Sequence, residues 1–121
     1  MKNEHPGVTC LYKFIDAFNT AEKNNIITNL HFPHFVHSNG NEPVIYKNGE
    51  DFWKSLKVQL DTMIKVENWS FSTLDQCKII NETDKTLQCE VHFNRRLINK
   101  KSYGSAKGIW ISTNRDGIWA L

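Results

Sequence analysis

The last 50 or so residues change period. In "TLQCEVHFNRRL", Leu87, Cys89, Val91, Phe93 and Arg95 share one parity, while Gln88, Glu90, His92 and Asn94 share the other. Apolar residues at every second position describe a strand with one packed face and one face toward water or a partner. "WSFSTLDQCKII" precedes it across the turn "NETDK", and "SAKGIWIST" and "GIWAL" follow across "INKKSYG" and "NRDG". Links this short join antiparallel neighbours, because a parallel crossover needs a dozen or more residues. The C-terminal half is therefore expected to be a four-stranded antiparallel meander.

The N-terminal half has the helical period instead. Leu11, Phe14, Ile15 and Phe18 fall at i, i+3, i+4 and i+7 and give a first helix over about Gly7 to Lys23, stopped by Asn24-Asn25. "NNIITNL" is long enough for one or two further turns. Pro33 forbids helix and pushes Phe32 toward extended backbone. "HFVHSNGNEPVIY" reads as two short strands around Asn39-Gly40, which tolerate positive φ. Asn48 then suits an N-cap, Glu50 and Asp51 suit the positive end of a helix dipole, and Phe52, Trp53, Leu56, Leu60, Met63 and Ile64 make an apolar stripe ending near Lys65. Helices, a hairpin, a long helix and then a meander are segregated elements, which argues α+β. At 121 residues the whole chain, 1–121, is expected to be one domain.

A net charge of +2 is too small to imply nucleic acid, and the basic pairs Arg95-Arg96 and Lys100-Lys101 flank a turn, where solvation is the simpler reading. Three cysteines, Cys10, Cys77 and Cys89, are odd in number and form no CxxC pair, so they read as buried free thiols in a reducing compartment, the cytoplasm. "MKNEHPGVTCLYKF" has no long apolar run, so neither a signal peptide nor a membrane segment is expected. Asn68-Trp69-Ser70 and Asn81-Glu82-Thr83 then read as chance glycosylation matches.

"FIDAFNTAEKNN" in the first helix, "LHFPHFVHSNG" leading into the hairpin, "GEDFWKSL" opening the long helix, "VHFNRR" in the sheet and "DGIWAL" at the end stand in an order that resembles the nuclear transport factor 2-like superfamily. This superfamily includes ketosteroid isomerase, scytalone dehydratase, limonene epoxide hydrolase and the SnoaL-like polyketide cyclases. The resemblance implies a cone, with a curved, mostly antiparallel sheet wrapped around the N-terminal helices and the long helix. It further implies a pocket between helices and concave sheet, and a homodimer. It does not imply a reaction. Ketosteroid isomerase needs an aspartate base and an oxyanion hole of tyrosine and protonated aspartate. Matching "FIDAFNTAEKNN" to its first helix puts the tyrosine on Phe14, the base on Ser38 (or His37 with a one-residue slip) and the second aspartate near Ile109. Phe14 and Ile109 donate no hydrogen bond, so that chemistry is excluded. The Asp-Arg-Asp set of limonene epoxide hydrolase is not evident either.

His31, His34 and His37 stand three apart. Pro33 breaks any helix between the first two, and on a strand His34 and His37 face opposite ways, so no metal site and no cofactor are expected. His34 or His37 remains a candidate acid/base group, because imidazole titrates near neutrality. The alternative is that both are structural. His31 is expected to be structural or at the surface, His92 toward solvent or a partner, and His5 in the N-terminal tail. Arg95, on the packed parity, points either at a ligand carboxylate or at a salt bridge at the strand end. Tyr12, Trp53 and Trp110 are candidate ligand-binding residues beside Arg95, since aromatics make rigid pocket walls and equally ordinary core. Trp69 and Trp119 belong to the sheet, Tyr103 offers another hydroxyl, and Asp16 should face solvent. Two functions follow. One is a pocket for a small, partly hydrophobic molecule, with isomerase-, dehydratase- or cyclase-type chemistry at a histidine. The other is a non-catalytic dimeric module.

Overall fold

The structure, a computed structural model, describes residues 5–37 and 42–121. The expected turn residues Asn39 and Gly40, and the candidate base position Ser38, lie outside them.

Helix α1 runs Pro6–Asn19. His5 is its N-cap: Nδ1 accepts from the Gly7 N–H at 2.9 Å, which leaves Nε2 as the donor toward Glu82 Oε2 at 3.1 Å. His5 is thus part of the fold and no loose tail. The helix ends earlier than its apolar pattern suggested. Thr20 Oγ1 donates back to the Ala17 carbonyl at 2.6 Å and Ala21 turns to φ 55°, so the chain breaks before Asn24-Asn25. Both asparagines instead lie inside a second short helix, α2, Lys23–Ile27. Asn19 is held from far along the chain: its Nδ2 donates to the Ser72 carbonyl (2.8 Å) and its Oδ1 accepts from the Ser72 N–H (2.7 Å). Trp69 Nε1 donates to Ser72 Oγ at 2.9 Å. One polar joint therefore fastens the end of α1 to the first long strand.

Strands β1 (His34–Val36) and β2 (Val44–Tyr46) pair antiparallel, with His34 opposite Tyr46. Helix α3, Gly49–Lys65, opens as expected on Asn48, whose side chain accepts from the Asp51 N–H at 2.9 Å. The meander follows as β3 (Phe71–Glu82), β4 (Thr86–Arg96), β5 (Ser102–Arg115) and β6 (Ile118–Ala120), in that spatial order and all antiparallel. Asp116 and Gly117, both at positive φ, make the tight β5–β6 turn. The sheet is open.

Two apolar clusters fill the space between sheet and helices. In one, Val8, Leu11 and Ile15 of α1 pack on Leu87, Cys89 and Val91 of β4. In the other, Phe14 meets Ile26, Phe52, Leu56, Leu60, Met63 and Trp69. Trp110 and Leu121 touch both clusters. Gly7 lets α1 lie close on the sheet: a Cβ there would come within 2.8 Å of Leu87 Cδ2 and of Ser112 Oγ. His31 closes the other end. Its N–H donates to the Leu121 carbonyl (2.9 Å), and its Nε2 lies against the Thr113 and Ile118 carbonyls (3.1 and 2.9 Å), which fixes the Nε2–H tautomer. Among the described residues no helix is long and apolar enough to cross a membrane.

Candidate functional site

A cavity of about 260 Å³ opens where the two clusters meet. Helix α1 contributes Phe14, Ile15 and Phe18. Helix α3 contributes Phe52, Ser55, Leu56 and Gln59. The hairpin contributes His34, Val36 and Tyr46, and the sheet Ser72, Phe93, Arg95 and Trp110; Leu121 completes the wall. The aromatic side is well braced, with Trp110 edge-on to Phe14 at 5.7 Å and tilted against Phe93 at 5.7 Å.

His34 is a half-buried titratable group of this wall. Its ring stands edge-on to Phe52 at 5.3 Å and near Phe32 at 6.2 Å. Burial pushes its pKa below the ordinary 6.5, partly offset by the Leu121 backbone. The imidazole is therefore neutral at pH 7 and able to accept a proton. The sign for stability follows. Below pH 6.5 the unfolded chain takes up a proton at this position that the folded chain resists, so stability falls as pH falls. His34→Gln is expected to flatten the loss of stability below pH 6.5 in urea unfolding; an unchanged pH profile would count against a desolvated, neutral His34.

Arg95 enters from β4. Its Nη1 donates to Glu67 Oε1 at 3.2 Å, and the same oxygen accepts from Tyr103 Oη at 2.8 Å. Burial and then the Glu67 carboxylate push the Tyr103 phenol up to about 12, so it stays a donor. A β-bulge makes this contact. Arg95 pairs with Gly104 but Arg96 with Ser102, so Tyr103 is the extra residue, free to turn toward Glu67. Arg95 thus both lines the cavity and forms a salt bridge. Neither arginine of the Arg95-Arg96 pair is a solvated turn residue, for Arg96 Nε donates to Thr73 Oγ1 (2.9 Å) and Nη2 lies 3.5 Å from Asp75. Asp75 is itself freed by a bulge between Leu74 and Gln76.

Of the six candidate residues, the structure brings His34, Arg95 and Trp110 to one cavity and leaves three outside its lining. His37 is exposed, one residue past the end of β1, with its ring 6.5 Å from that of Phe35. Tyr12 packs on the α1–sheet cluster, about 200° round the helix from Phe14. Trp53 follows Phe52 by one residue, about 100° round α3, and packs on the flank of the second cluster. Sequence reasoning did not name Tyr46, Ser55, Gln59 or Ser72. Ser55 and Gln59 were discoverable, being i, i+4 partners beside the Phe52–Leu56 stripe. Tyr46 Oη donates to Ser55 Oγ at 3.1 Å. Glu67 and the role of Tyr103 depend on the bulge, which has no sequence signal here. Among the described residues no three of His, Cys, Asp and Glu gather as a metal donor set.

No family model matches the chain, and no curated protein matches it. Solved structures do. A putative calcium/calmodulin dependent protein kinase II association domain from Xanthomonas campestris superposes with a TM-score of 0.67 at 14% identity, over 98% of this chain and 83% of the other. An NTF-2-like protein of unknown function from Shewanella oneidensis MR-1 gives 0.61 at 11%, over 95% and 90%. The chain has the nuclear transport factor 2-like fold. A ketosteroid isomerase-like protein from Erwinia carotovora atroseptica, at 0.61 and 12% over 98% and 92%, shares this fold as well. At such identities the nuclear transport factor 2-like likeness speaks for architecture alone.

Proposed function

We propose that the cavity binds a small, partly hydrophobic molecule and that neutral His34 exchanges a proton with it. The observation that carries this reading is the composition of one wall set: aromatic rings on the α1 and sheet sides, and hydrogen-bonding side chains Tyr46, Ser55 and Gln59 beside His34 on the hairpin and α3 sides. A general base must be neutral at working pH and within reach of its substrate. His34 meets the first condition through burial. About 260 Å³ lies just under the usual range for drug-sized ligands, so the molecule is small. A carbonyl compound losing or shifting a proton, as in isomerase, dehydratase or cyclase chemistry, suits one imidazole flanked by neutral donors. Native mass spectrometry of the purified protein tests the reading. A defined extra mass that His34→Ala loses, with folding retained by circular dichroism, supports it. A bare protein that also fails to take up small amphiphiles moves the weight to the alternative.

The alternative is a non-catalytic homodimeric module. It is supported by the outer sheet face, where Ile109 and Ile111 of β5 are exposed beside the cross-strand pair Lys78–Glu90. An apolar patch with both charges at its border is self-complementary about a two-fold axis. The same face serves a dimer that also binds ligand. Light scattering at micromolar concentration should give twice the chain mass, and a monomer mass would exclude the pairing. The free thiols of Cys10, Cys77 and Cys89 suit a cytoplasmic setting; burial pushes Cys10 to about 11 and Cys89 to about 12, which leaves both unreactive.

A further inference from the structure

Among the described residues Arg95 is the one cationic side chain in the cavity lining. A guanidinium carries five N–H donors. Among the described residues, Glu67 is the partner of Arg95, and it takes Nη1 alone, through a single oxygen. A saturated Arg–carboxylate pair would be bidentate, with two parallel bonds. This one is not: Glu67 Oε1 accepts from both Arg95 Nη1 and Tyr103 Oη. The side chain of Arg95 is only 32% exposed, so the remaining donors are partly withdrawn from water. These donors still stay open to solvent, and an anion in the cavity would exchange their water for charge-assisted hydrogen bonds.

The charge count limits what that anion is. Arg95 brings one positive charge and Glu67 already opposes it with one negative charge. Among the described residues no second cation lines the wall. Any anion leaves the Arg95–Glu67 pair net negative, by about −2 for a phosphate monoester but only −1 for a carboxylate, so the monoanion is the less repelled. A carboxylate brings −1 and two oxygens at the spacing a guanidinium fork accepts. The neighbouring surfaces, Phe14, Phe18, Phe93 and Trp110, are apolar rings. We infer that the ligand of this cavity is a small monocarboxylate with an apolar body, its carboxylate held by the free donors of Arg95, with Glu67 and Tyr103 as positioning residues that fix the guanidinium.

The inference rests on the cavity being a ligand site, and the test separates the two claims. The probes are 3-phenylpropanoate and its neutral amide, 3-phenylpropanamide, each titrated into the full chain by calorimetry. The carboxylate is expected to bind at least about tenfold more tightly than the amide, because a charge-assisted pair is roughly twice as strong as a neutral one. Arg95→Met keeps an apolar stem of similar length and should abolish the preference while leaving amide binding in place. Should Arg95→Met leave Glu67 uncompensated and fold poorly, the double variant Arg95→Met/Glu67→Gln removes both charges and gives the same readout. Equal binding of acid and amide by the wild type overturns the carboxylate inference and leaves the cavity reading standing. A preference that survives Arg95→Met overturns the role of Arg95. Binding of neither probe up to millimolar concentration overturns both the inference and the cavity reading.

Discussion

Phe52→Ala is expected to cost about 3–5 kcal/mol of stability and to unseat the hairpin. The ring is 8% exposed and serves as the hub of an aromatic group, with Tyr46 at 5.2 Å, His34 at 5.3 Å and Phe32 at 6.2 Å, all near edge-on. Strands β1 and β2 pair with each other and with no strand of the large sheet. Two three-residue strands are not stable by themselves in water, so the hairpin depends on what its inner face packs on. That face is His34 and Tyr46, and what it packs on is Phe52. The variant should unfold at lower urea concentration, and the amides of 34–36 and 44–46 should lose hydrogen-exchange protection more than those of β4. Because His34 and Tyr46 are cavity wall, ligand binding should disappear with them. A global loss of stability in which hairpin protection falls no more than elsewhere would contradict this role for Phe52.

Leu87→Ala is the second large effect, about 2–5 kcal/mol, and it should leave the hairpin as it is. Leu87 is 0% exposed and sits under α1, where Gly7 brings the helix closest to the sheet. Removing three heavy atoms there opens a void that α1 cannot close, because the helix is tied at one end by Asn19 to Ser72 and at the other by His5 to Glu82. Urea unfolding followed by tryptophan fluorescence measures the loss. Ile98→Ser provides the contrast: that side chain is 88% exposed, and its replacement should shift stability by no more than about 0.5 kcal/mol. Comparable losses at the two positions would mean that the α1–sheet contact is not the core.

The elements decided by local chemistry were legible in the sequence. Asn48 caps α3 because its side chain meets the first turn of its own helix, and the alternation through Leu87, Cys89 and Val91 follows from the pleat of β4 itself. What could not be read depends on distant residues. The end of α1 is turned at Thr20 and Ala21 and held by Asn19 on Ser72, 53 residues away, and that distant anchor is not visible beside Asn24-Asn25 in the sequence. The bulges that release Asp75 and Tyr103 are properties of strand pairing, since each exists only because one strand has a residue more than its neighbour. The site divides in the same way. His34 and Trp110 reach the cavity by strand parity, which the sequence displays, and Arg95 continues the parity of Phe93. Tyr12 and Trp53 lie outside the cavity lining, because an apolar helical stripe tells which side is buried but not which part of the buried side borders a cavity. Glu67 lies in the link after α3, where nothing nearby in sequence shows that Arg95 and Tyr103 converge on it.

The most direct test of the central claim, that this cavity takes a small, partly apolar molecule, is a proton–nitrogen NMR titration of the chain with 3-phenylpropanoate and, separately, its amide. The account predicts saturable shifts for at least one of the two at the amides of His34, Ser55, Gln59, Phe93 and Trp110 and at the Trp110 indole, with Ile109 on the outer sheet face unmoved. Shifts that never saturate, or that fall on the outer face and leave the lining of α1, α3 and the hairpin unchanged, would contradict it.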